Sequence, residues 1–425
     1  MNEPLDFLSY IYVPTIEPGN IAFTLFNILL TISPIIVCLA LAGLFFPIWV
    51  RFVRAKFFFK EKYAVIEMKL PKETVKSPAA MELFLMSLHQ TSGESTWYDK
   101  YWLGKTRTWF SLELVSIEGQ VRFFIWTRAS WKTFITASLY SQFPGIEIHD
   151  VDDYTRSVHW EPKEIAVWGG EFTLTKPDPY PIKTYVDYGL DKDPKEEFKV
   201  DPMAPMIEAL GTVGQNQQIW IHILVRAHKA EQTKPGFFFK TTDKWKDDAM
   251  AEVNKIMIRD PKTKLVGTFD DNKHIKPELS PGEQDIIKAL ERSITKQGFD
   301  VGIRFIYVAK KENFTPGQIP TILGSFKQFS SEHLNGFKPN GKKWVLKFDY
   351  PWQDFKEIRQ NRQRDQLLQA MKRRSYFFPP FESKPFVLNS EELATIYHFP
   401  GQVAPTPTLS RIGSKKVDAP PNLPI

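Results

Sequence analysis

The chain has 425 residues, a formal net charge of +6 and a single cysteine, and hydrophobic residues make up 43% of it. A hydrophobic content this high excludes an intrinsically disordered protein, and the length allows two or three domains with cores of their own. The lone cysteine excludes a disulfide framework and a zinc site built on cysteines.

The first element in the chain is a long apolar run. Residues 21–50, IAFTLFNILLTISPIIVCLALAGLFFPIWV, contain no charged side chain, and about 20 apolar residues are enough to cross a bilayer. A buried helix of a soluble protein rarely stays uncharged for so long, and a cleaved signal peptide would need basic residues in place of Glu3 and Asp6. The run therefore predicts a transmembrane helix, with Ile21 and Val50 at its ends and Pro34 and Cys38 inside it.

Basic residues lie on only one side of this run. Segment 1–20 has no lysine or arginine, whereas the juxtamembrane segment 51–62 carries Arg51, Arg54, Lys56, Lys60 and Lys62. By the positive-inside rule, segment 1–20 is extracytoplasmic and the chain after it crosses the membrane into the cytoplasm. The sequence thus predicts a single-pass protein of the inner or plasma membrane, with the basic segment facing anionic membrane lipid.

Residues 63–153 have the pattern of a ferredoxin-like unit. The alternating run YAVIEMKL (63–70) predicts a strand, and Ser77-Pro78 predicts the start of a helix. Two strands joined by the turn residues Glu118-Gly119 follow, and then a second helix from Ser130 and a last strand. These strands are predicted at 110–117, 121–127 and 146–149. The resulting order, β-α-β-β-α-β, is the ferredoxin-like one.

Residues 154–350 repeat that order more loosely. The predicted strands are 171–175, 218–225 and 300–308, and the predicted helix starts are Asp201-Pro202, the capping box SPGE (280–283) and the box TPGQ (315–318). A polar, charged stretch at 227–279 is an insertion in this second unit. The predicted fold class is therefore α+β, with one N-terminal transmembrane helix, two tandem ferredoxin-like units and an extended C-terminal tail.

Residues 351–385 hold a basic helix and a linker. The helix is a candidate for nucleic-acid contact because phosphates are bound by Lys and Arg on one face. Its acidic residues, Asp354, Glu357 and Asp365, interrupt that face, so a solvated or protein-facing helix is the favoured interpretation. The candidate contact residues are Arg359, Arg362, Arg364, Lys372, Arg373 and Arg374.

No catalytic, metal or cofactor site can be assembled from motifs. The stretch GFKPNGKKW (336–344) has the spacing of a phosphate-binding loop, but Lys343 replaces the Ser or Thr that would hold magnesium and Pro339 removes a backbone donor. The aspartates Asp150, Asp152 and Asp153 indicate a solvated turn more than a magnesium site. The sequence predicts that the chain is not an enzyme and binds no cofactor.

The C-terminal segment 386–425 carries a family resemblance. The stretch FVLNSEELATIYHFPGQ (386–402), followed by TPTLSRI, SKK and APPNLP, resembles the segment before the motor domain of membrane-anchored ATPases of the conjugative DNA-transfer, type IV secretion class. The run SLELVSIEGQVRFFIWTRASWKTFITASLYSQFPGIEI (111–148) is similar to their N-terminal region. The resemblance covers nearly the whole chain, but its motifs are a family signature rather than catalytic ones.

The resemblance implies an accessory scaffold for a motor on another chain. Many such proteins continue into a P-loop motor of the coupling-protein or HerA type, but this sequence contains no Walker motif. The tail is then expected to dock a separate P-loop ATPase, and self-association into a ring would match a hexameric motor. The candidate docking residues are Glu391, Glu392, Tyr397, His398, Phe399 and Arg411.

Three alternatives remain open from sequence. Residues 386–399 fold back onto their own domain instead of docking a partner. The protein guides single-stranded DNA directly, using the basic helix and aromatic side chains on a sheet. It is an enzyme with an unrecognised site, such as the acidic turn at 150–153.

Overall fold

The computed structural model describes residues 21–69, 77–191, 200–232, 241–257, 268–270, 273–275, 279–341, 343–344, 348 and 350–400. The chain divides into two compact units. The first unit consists of the residues up to Lys60 together with Glu94–Thr106, and the second consists of Glu61–Gly93 and the chain from Arg107 onward.

The described chain contains ten α-helices, two of which belong to the first unit. They are α1 (Ile21–Lys60), α2 (Pro78–Ser87), α3 (Trp97–Tyr101), α4 (Lys132–Gln142), α5 (Ala204–Gly211), α6 (Lys244–Ile256), α7 (Pro281–Ile294), α8 (Gln318–Ser325), α9 (Ile358–Arg373) and α10 (Ser390–Ile396). Helices α1 and α3 are those of the first unit.

The strands all belong to the second unit. They are β1 (Tyr63–Lys69), β2 (Trp109–Ile117), β3 (Gln120–Arg128), β4 (Glu147–Val151), β5 (Ile165–Leu174), β6 (Gln217–Ala227), β7 (Glu231–Gln232), β8 (Thr241–Thr242), β9 (Thr268–Asp270), β10 (Lys273–Ile275), β11 (Gly298–Lys310), β12 (Phe337–Pro339) and β13 (Phe386–Asn389). The short pairs β7–β8 and β9–β10 form two small ladders of their own within the expected insertion.

The remaining nine strands form one large antiparallel sheet. Eight of them lie in the order β12-β5-β11-β6-β2-β3-β1-β4, and β13 pairs with β11. Strands β2 and β6 pair from Trp109 opposite Arg226 to Ile117 opposite Gln218, so the halves predicted as tandem units share a continuous sheet. Nothing in the sequence pattern indicated this pairing.

Local sequence signals explain most element boundaries. Glu118 and Gly119 both have positive φ, 52° and 85°, as a two-residue hairpin turn between β2 and β3 requires. The side chain of Ser77 accepts from the backbone of Ala79 at the start of α2, and Ser280 with Glu283 forms the predicted capping box of α7.

Helix α1 contains the predicted span 21–50 and continues through the basic segment to Lys60, because residues 51–60 contain no helix breaker. Three other predicted starts are wrong. Helix α8 begins at Gln318 and not at Thr315, whose backbone N–H donates to Tyr307 Oη. Helix α5 begins at Ala204, since the Asp201 side chain caps a preceding turn by accepting from Met203 N. Strand β5 begins at Ile165, six residues early, because its glycines disguise a strand in sequence.

The two faces of the sheet are covered differently. One face packs against helices α2, α4, α5, α8 and α10 and forms the main apolar core. The other face is crossed by α9, which packs on β5 and β11. Along β2, β6 and β11 the core residues alternate with Glu113, His222 and Arg304, which therefore point to the α9 side.

Close packing of the segment after α9 depends on a glycine in β11. A Cβ atom at Gly302 would lie 2.2 Å from the ring of Tyr376. That ring is held in place, because the Arg304 guanidinium lies 5.1 Å from its centroid and its hydroxyl donates to Lys384 O at 3.3 Å. These two contacts oppose movement of the ring away from an added methyl group.

We therefore expect Gly302→Ala to lower the free energy of unfolding by roughly 1–3 kcal/mol through overpacking. Gly324→Ala in α8 is the matched control, since a Cβ there meets no atom within 4 Å and alanine favours the helix by up to about 1 kcal/mol. Thermal unfolding of the detergent-solubilised protein compares the two variants. Equal stability of both would contradict the packing described for Tyr376.

Candidate functional site

The apolar run forms a helix that is long and apolar enough to cross a membrane, by length and composition. A signal sequence near the N-terminus would meet the same criterion. Most of its apolar side chains between Leu25 and Ile48 are exposed, and so is Cys38. Ile21 is its first residue, and Pro34 and Val50 lie within it.

The basic residues predicted to flank the span lie on the same helix. Arg51, Lys56 and Lys60 are exposed on the last turns of α1, Arg54 is half-buried there, and Lys62 follows the helix. The positive charge therefore begins on the helix surface directly where the uncharged run ends. This one-sided distribution is the feature that the positive-inside rule uses.

A short aromatic segment, residues 96–104, contacts α1 near the end of the uncharged run. The sequence predictions did not include this segment. Trp49 Nε1 donates to Tyr101 O at 3.0 Å, and the rings of Trp49 and Trp102 lie 5.3 Å apart. Gly104, with φ +65°, sits over Val53, where a Cβ would lie 2.4 Å from the Val53 carbonyl oxygen. The signal that could have revealed this segment is the aromatic density of TWYDKYWL (96–103).

A row of ionisable side chains crosses the α9 side of the sheet. Glu113 on β2 lies opposite His222 on β6, which lies opposite Arg304 on β11, which lies opposite Glu171 on β5. All four side chains are buried. We call these four residues the buried charge row.

One end of the buried charge row holds the end of α9. Arg374, fully buried and in a left-handed conformation, donates to Glu113 through Nε at 2.9 Å and through Nη2 at 3.2 Å. Its Nη2 also donates to Asp153 at 3.0 Å. Burial alone would raise the pKa of Glu113, but attraction from Arg374 holds it below its usual value.

The other end of the buried charge row holds the chain that follows α9. Arg304 donates to Glu171 Oε1 through Nη2 at 2.7 Å and to the carbonyl of Ser375 at 2.8 Å. Glu171 Oε1 also accepts from Trp344 Nε1 and from Ser383 Oγ, both at 2.9 Å. The two arginine–carboxylate pairs thus fasten residues 370–383 to the sheet.

His222 in the middle of the buried charge row is neutral. Tyr154 Oη donates its one proton to Glu113 at 2.7 Å and lies 2.7 Å from His222 Nε2, so that nitrogen must be the donor to Tyr154. Nδ1 has no hydrogen-bond partner among the described residues. Burial lowers the pKa of His222 to about 4.

These groups are unsuited to catalysis on an outside substrate. Glu113, His222 and Arg374 are fully buried, and their polar atoms are mostly engaged with each other. No cluster of His, Cys, Asp and Glu able to hold a metal occurs within the part of the chain that the structure describes. We interpret the row as a structural feature that holds the end of α9 and the chain after it against the sheet.

The residues expected to dock a partner lie in the chain's own core. Strand β13 pairs with β11, and α10 packs on α2. Glu391, Glu392, Tyr397, His398 and Phe399 are all buried. The structure thus has 386–399 folded back on its own domain, the alternative left open from sequence, and these five candidate docking residues are not exposed for contact with a partner. Arg411 lies outside the described residues.

Each buried tail residue has a structural partner. Glu391 pairs with Arg292 and Lys296 at 3.2 and 3.0 Å, and Tyr397 Oη donates to Phe124 O at 3.0 Å. Burial raises the pKa of Glu392 to about 8. The remaining two complete the set: His398 contacts Asp201 at 3.1 Å, and Phe399 packs on Phe123 and Phe143.

Several basic side chains of the basic helix, α9, and of its C-terminal end form contacts within the chain. Arg374 is buried, and Lys372 donates to the carbonyl of Val158. Arg359 donates to Gln353 O at 3.0 Å, and Arg364 lies 3.4 Å from Glu357. These contacts favour the protein-facing interpretation of the helix. The exposed basic side chains on it are Arg359, Arg362 and Arg373.

The other motifs form no site either. In the phosphate-loop look-alike, residues 337–339 are the edge strand β12, and none of the described residues between 340 and 350 begins a helix. In the acidic turn, Asp150 pairs with Lys132 and Asp153 pairs with Arg374, while Asp152 is exposed. The three carboxylates therefore have separate environments and do not converge on a common point.

We expect Arg374→Gln to lower the free energy of unfolding by roughly 3–5 kcal/mol, because Glu113 would be left buried without its cation. Arg373→Gln, at the exposed neighbouring position, should change it by less than about 0.5 kcal/mol. Chemical denaturation followed by circular dichroism measures both. A loss of similar size in the two variants would contradict the fastening role of Arg374.

His222 should make the fold sensitive to acid. Its folded pKa of about 4 lies below the unfolded value, so the unfolded chain binds more protons between pH 6.5 and 4. Stability is then complete above about pH 6.5 and falls by up to roughly 3 kcal/mol as the pH drops through this window. His222→Gln should flatten the profile of unfolding free energy against pH, and His149→Gln, at an exposed histidine, should not. Identical slopes in all three proteins would rule out His222 as the source.

Comparison with known proteins adds a family but no activity. A search of the curated proteins finds no match. Residues 58–411 match the family described as a domain of unknown function, DUF8128. This range begins near the end of α1 and includes the sheet, the buried charge row and α10. Since the match covers well over half of the sequence, the chain belongs to the DUF8128 family.

Proposed function

We propose that the protein is a single-pass membrane scaffold without catalysis of its own, which holds a translocating P-loop ATPase beside the inner or plasma membrane. The observation that carries the proposal is α1, whose exposed apolar surface changes to a basic one at Arg51. A helix with this distribution is stable across a bilayer with its basic end in the cytoplasm. Segment 1–20 is then outside, and the sheet is cytoplasmic.

In this proposal the sheet consists of two ferredoxin-like units joined edge to edge. The orders β4-β1-β3-β2 and β12-β5-β11-β6 both place the fourth, first, third and second strands of a unit side by side. Helices α2 and α4 of the N-terminal ferredoxin-like half correspond to α5 and α8 of the C-terminal half. The pairing of β2 with β6 covers an edge of each unit, which removes two sites of unwanted strand addition.

The absence of catalysis is part of the proposal and rests on the buried charge row. Its carboxylates, arginines and histidine are placed in intramolecular pairs, away from solvent. A scaffold needs rigid surfaces and no reactive groups, and this arrangement provides them.

The proposal of an ATPase partner is based on the resemblance to ATPases of the type IV secretion and conjugation class. Because 386–399 is buried, we assign the docking role to residues 401–425, which include Arg411 and the proline-rich stretch. Proline-rich segments bind partners at low entropic cost. Self-association into a ring would match the symmetry of a hexameric motor.

Co-purification with a coupling-protein or HerA-type ATPase tests this assignment. The tagged full-length chain should be recovered from the membrane fraction with the ATPase bound. Deleting 401–425 should reduce ATPase recovery at least about tenfold, a loss of 1.4 kcal/mol or more in binding. A further deletion to 386 should also unfold the sheet unit, because it removes β13 and α10.

Two outcomes would contradict the proposal in different ways. Full ATPase recovery after deletion of 401–425 would show that this segment is not the dock. Recovery of the full-length chain from the soluble fraction would remove the membrane scaffold itself.

A further inference from the structure

We infer that residues 94–104 form an interfacial anchor, in which α3 and Trp102 lie in the headgroup layer of the bilayer beside the basic end of α1. This inference rests on the proposed membrane span of α1, and it assigns a lipid-contact site to a segment outside that span. We call residues 94–104 the aromatic anchor.

The aromatic anchor displays large rings at its surface. The exposed fractions of Trp97, Tyr98 and Trp102 are 64%, 53% and 53%, and Leu103 is 40% exposed. Four such side chains within seven residues are unusual on a surface that faces only water. Trp and Tyr are enriched where a membrane meets water, because their rings have an apolar body and a polar edge.

Contacts with α1 fix the height of the aromatic anchor along the helix. Phe46 packs on Tyr101 with ring centroids 5.3 Å apart, Trp49 donates to the Tyr101 carbonyl, and Gly104 touches the backbone at Val53. At 1.5 Å per residue these contacts cover about 10 Å of helix, enough to span the interfacial layer of roughly 5–7 Å on one side of a bilayer. They also bracket Arg51, the first cation after the uncharged run.

The charges around the aromatic anchor match lipid headgroups. The end of α1 carries Arg51, Arg54 and Lys56, and the anchor segment and its flank carry Lys100 and Lys105, against the acidic Glu94 and Asp99. Asp99 is already paired with Lys105 at 2.9 Å. The local excess of positive charge favours the anionic phospholipids of a cytoplasmic leaflet. We therefore assign a phospholipid interface, and not another protein, to this surface.

Depth measurement in vesicles tests the aromatic anchor. The full-length protein carries one native cysteine, the exposed Cys38 within the span, which takes an environment-sensitive fluorophore directly. A second protein combines Cys38→Ser with Tyr98→Cys, and a third combines Cys38→Ser with Ser141→Cys, at an exposed position on α4. Each is reconstituted in phosphatidylcholine with about 30% phosphatidylglycerol, containing lipid nitroxides near the headgroup or near the acyl-chain end.

Each label has a distinct expected result. The label at position 98 should be quenched at least about twofold more by the headgroup nitroxide than by the chain-end nitroxide. The label at Cys38 should show the opposite preference. The label at position 141 should respond to aqueous iodide and to neither lipid.

The possible failures are separable. If iodide quenches position 98 as strongly as position 141 while Cys38 keeps its preference for the chain-end nitroxide, the span stands and the aromatic anchor is wrong. Protection of position 98 from all three quenchers would show that protein covers the surface, which also overturns the inference. If the chain-end nitroxide fails to quench Cys38, the span and the proposed function fail together with the anchor.

Discussion

Two arginine–carboxylate pairs on one face of the sheet determine how the rest of the second unit is assembled. Arg374 with Glu113, and Arg304 with Glu171, are buried almost completely, and each pair joins residues distant in sequence or in the sheet. Removing such charges from water costs several kcal/mol per ion. A buried pair offsets this cost only when its geometry is close to ideal and additional hydrogen bonds satisfy both groups. Here the same groups also bind the carbonyls of Ser375 and Ala370, and satisfy the end of α9.

As a consequence, segments from the C-terminal part of the chain pack on both faces of the sheet. On one face α9 and residues 370–383 are fastened by the buried charge row, and on the other α10 fills the apolar core beside α2. Strand β13 connects these two layers by pairing with β11 next to the end of β5. Residues 386–399 are therefore needed to complete the fold, and any partner must bind elsewhere on the chain.

Local patterns in the sequence predict elements well and their assembly poorly. The alternation in 63–70, the turn Glu118-Gly119 and the box at 280–283 depend on neighbouring residues, and each is found in the structure near its predicted place. The pairing of β2 with β6, the cross-strand row of charges and the burial of Tyr397 depend on residues more than 80 positions apart. The sequence of the short helix α10 suggests an exposed helix because it contains Glu391 and Glu392. The groups that pair with these carboxylates, the Arg292 side chain and the backbone N–H of Ile182, lie far away in the sequence.

The first unit follows a different logic, because the proposed membrane span places lipid where other domains have a protein core. Helix α1 keeps most of its apolar residues exposed, and the only described segment grouped with it is the aromatic one at 94–106. In the proposed span, side chains that a soluble domain would bury are useful, because the hydrocarbon, the headgroups and the cytosol would each stabilise one part of the unit. The boundary between Trp49 and Arg51, where apolar surface, aromatic rings and positive charge meet within a few residues, would then set depth and orientation. The proposed scaffold role would require this kind of fixed reference to the membrane rather than a reactive site.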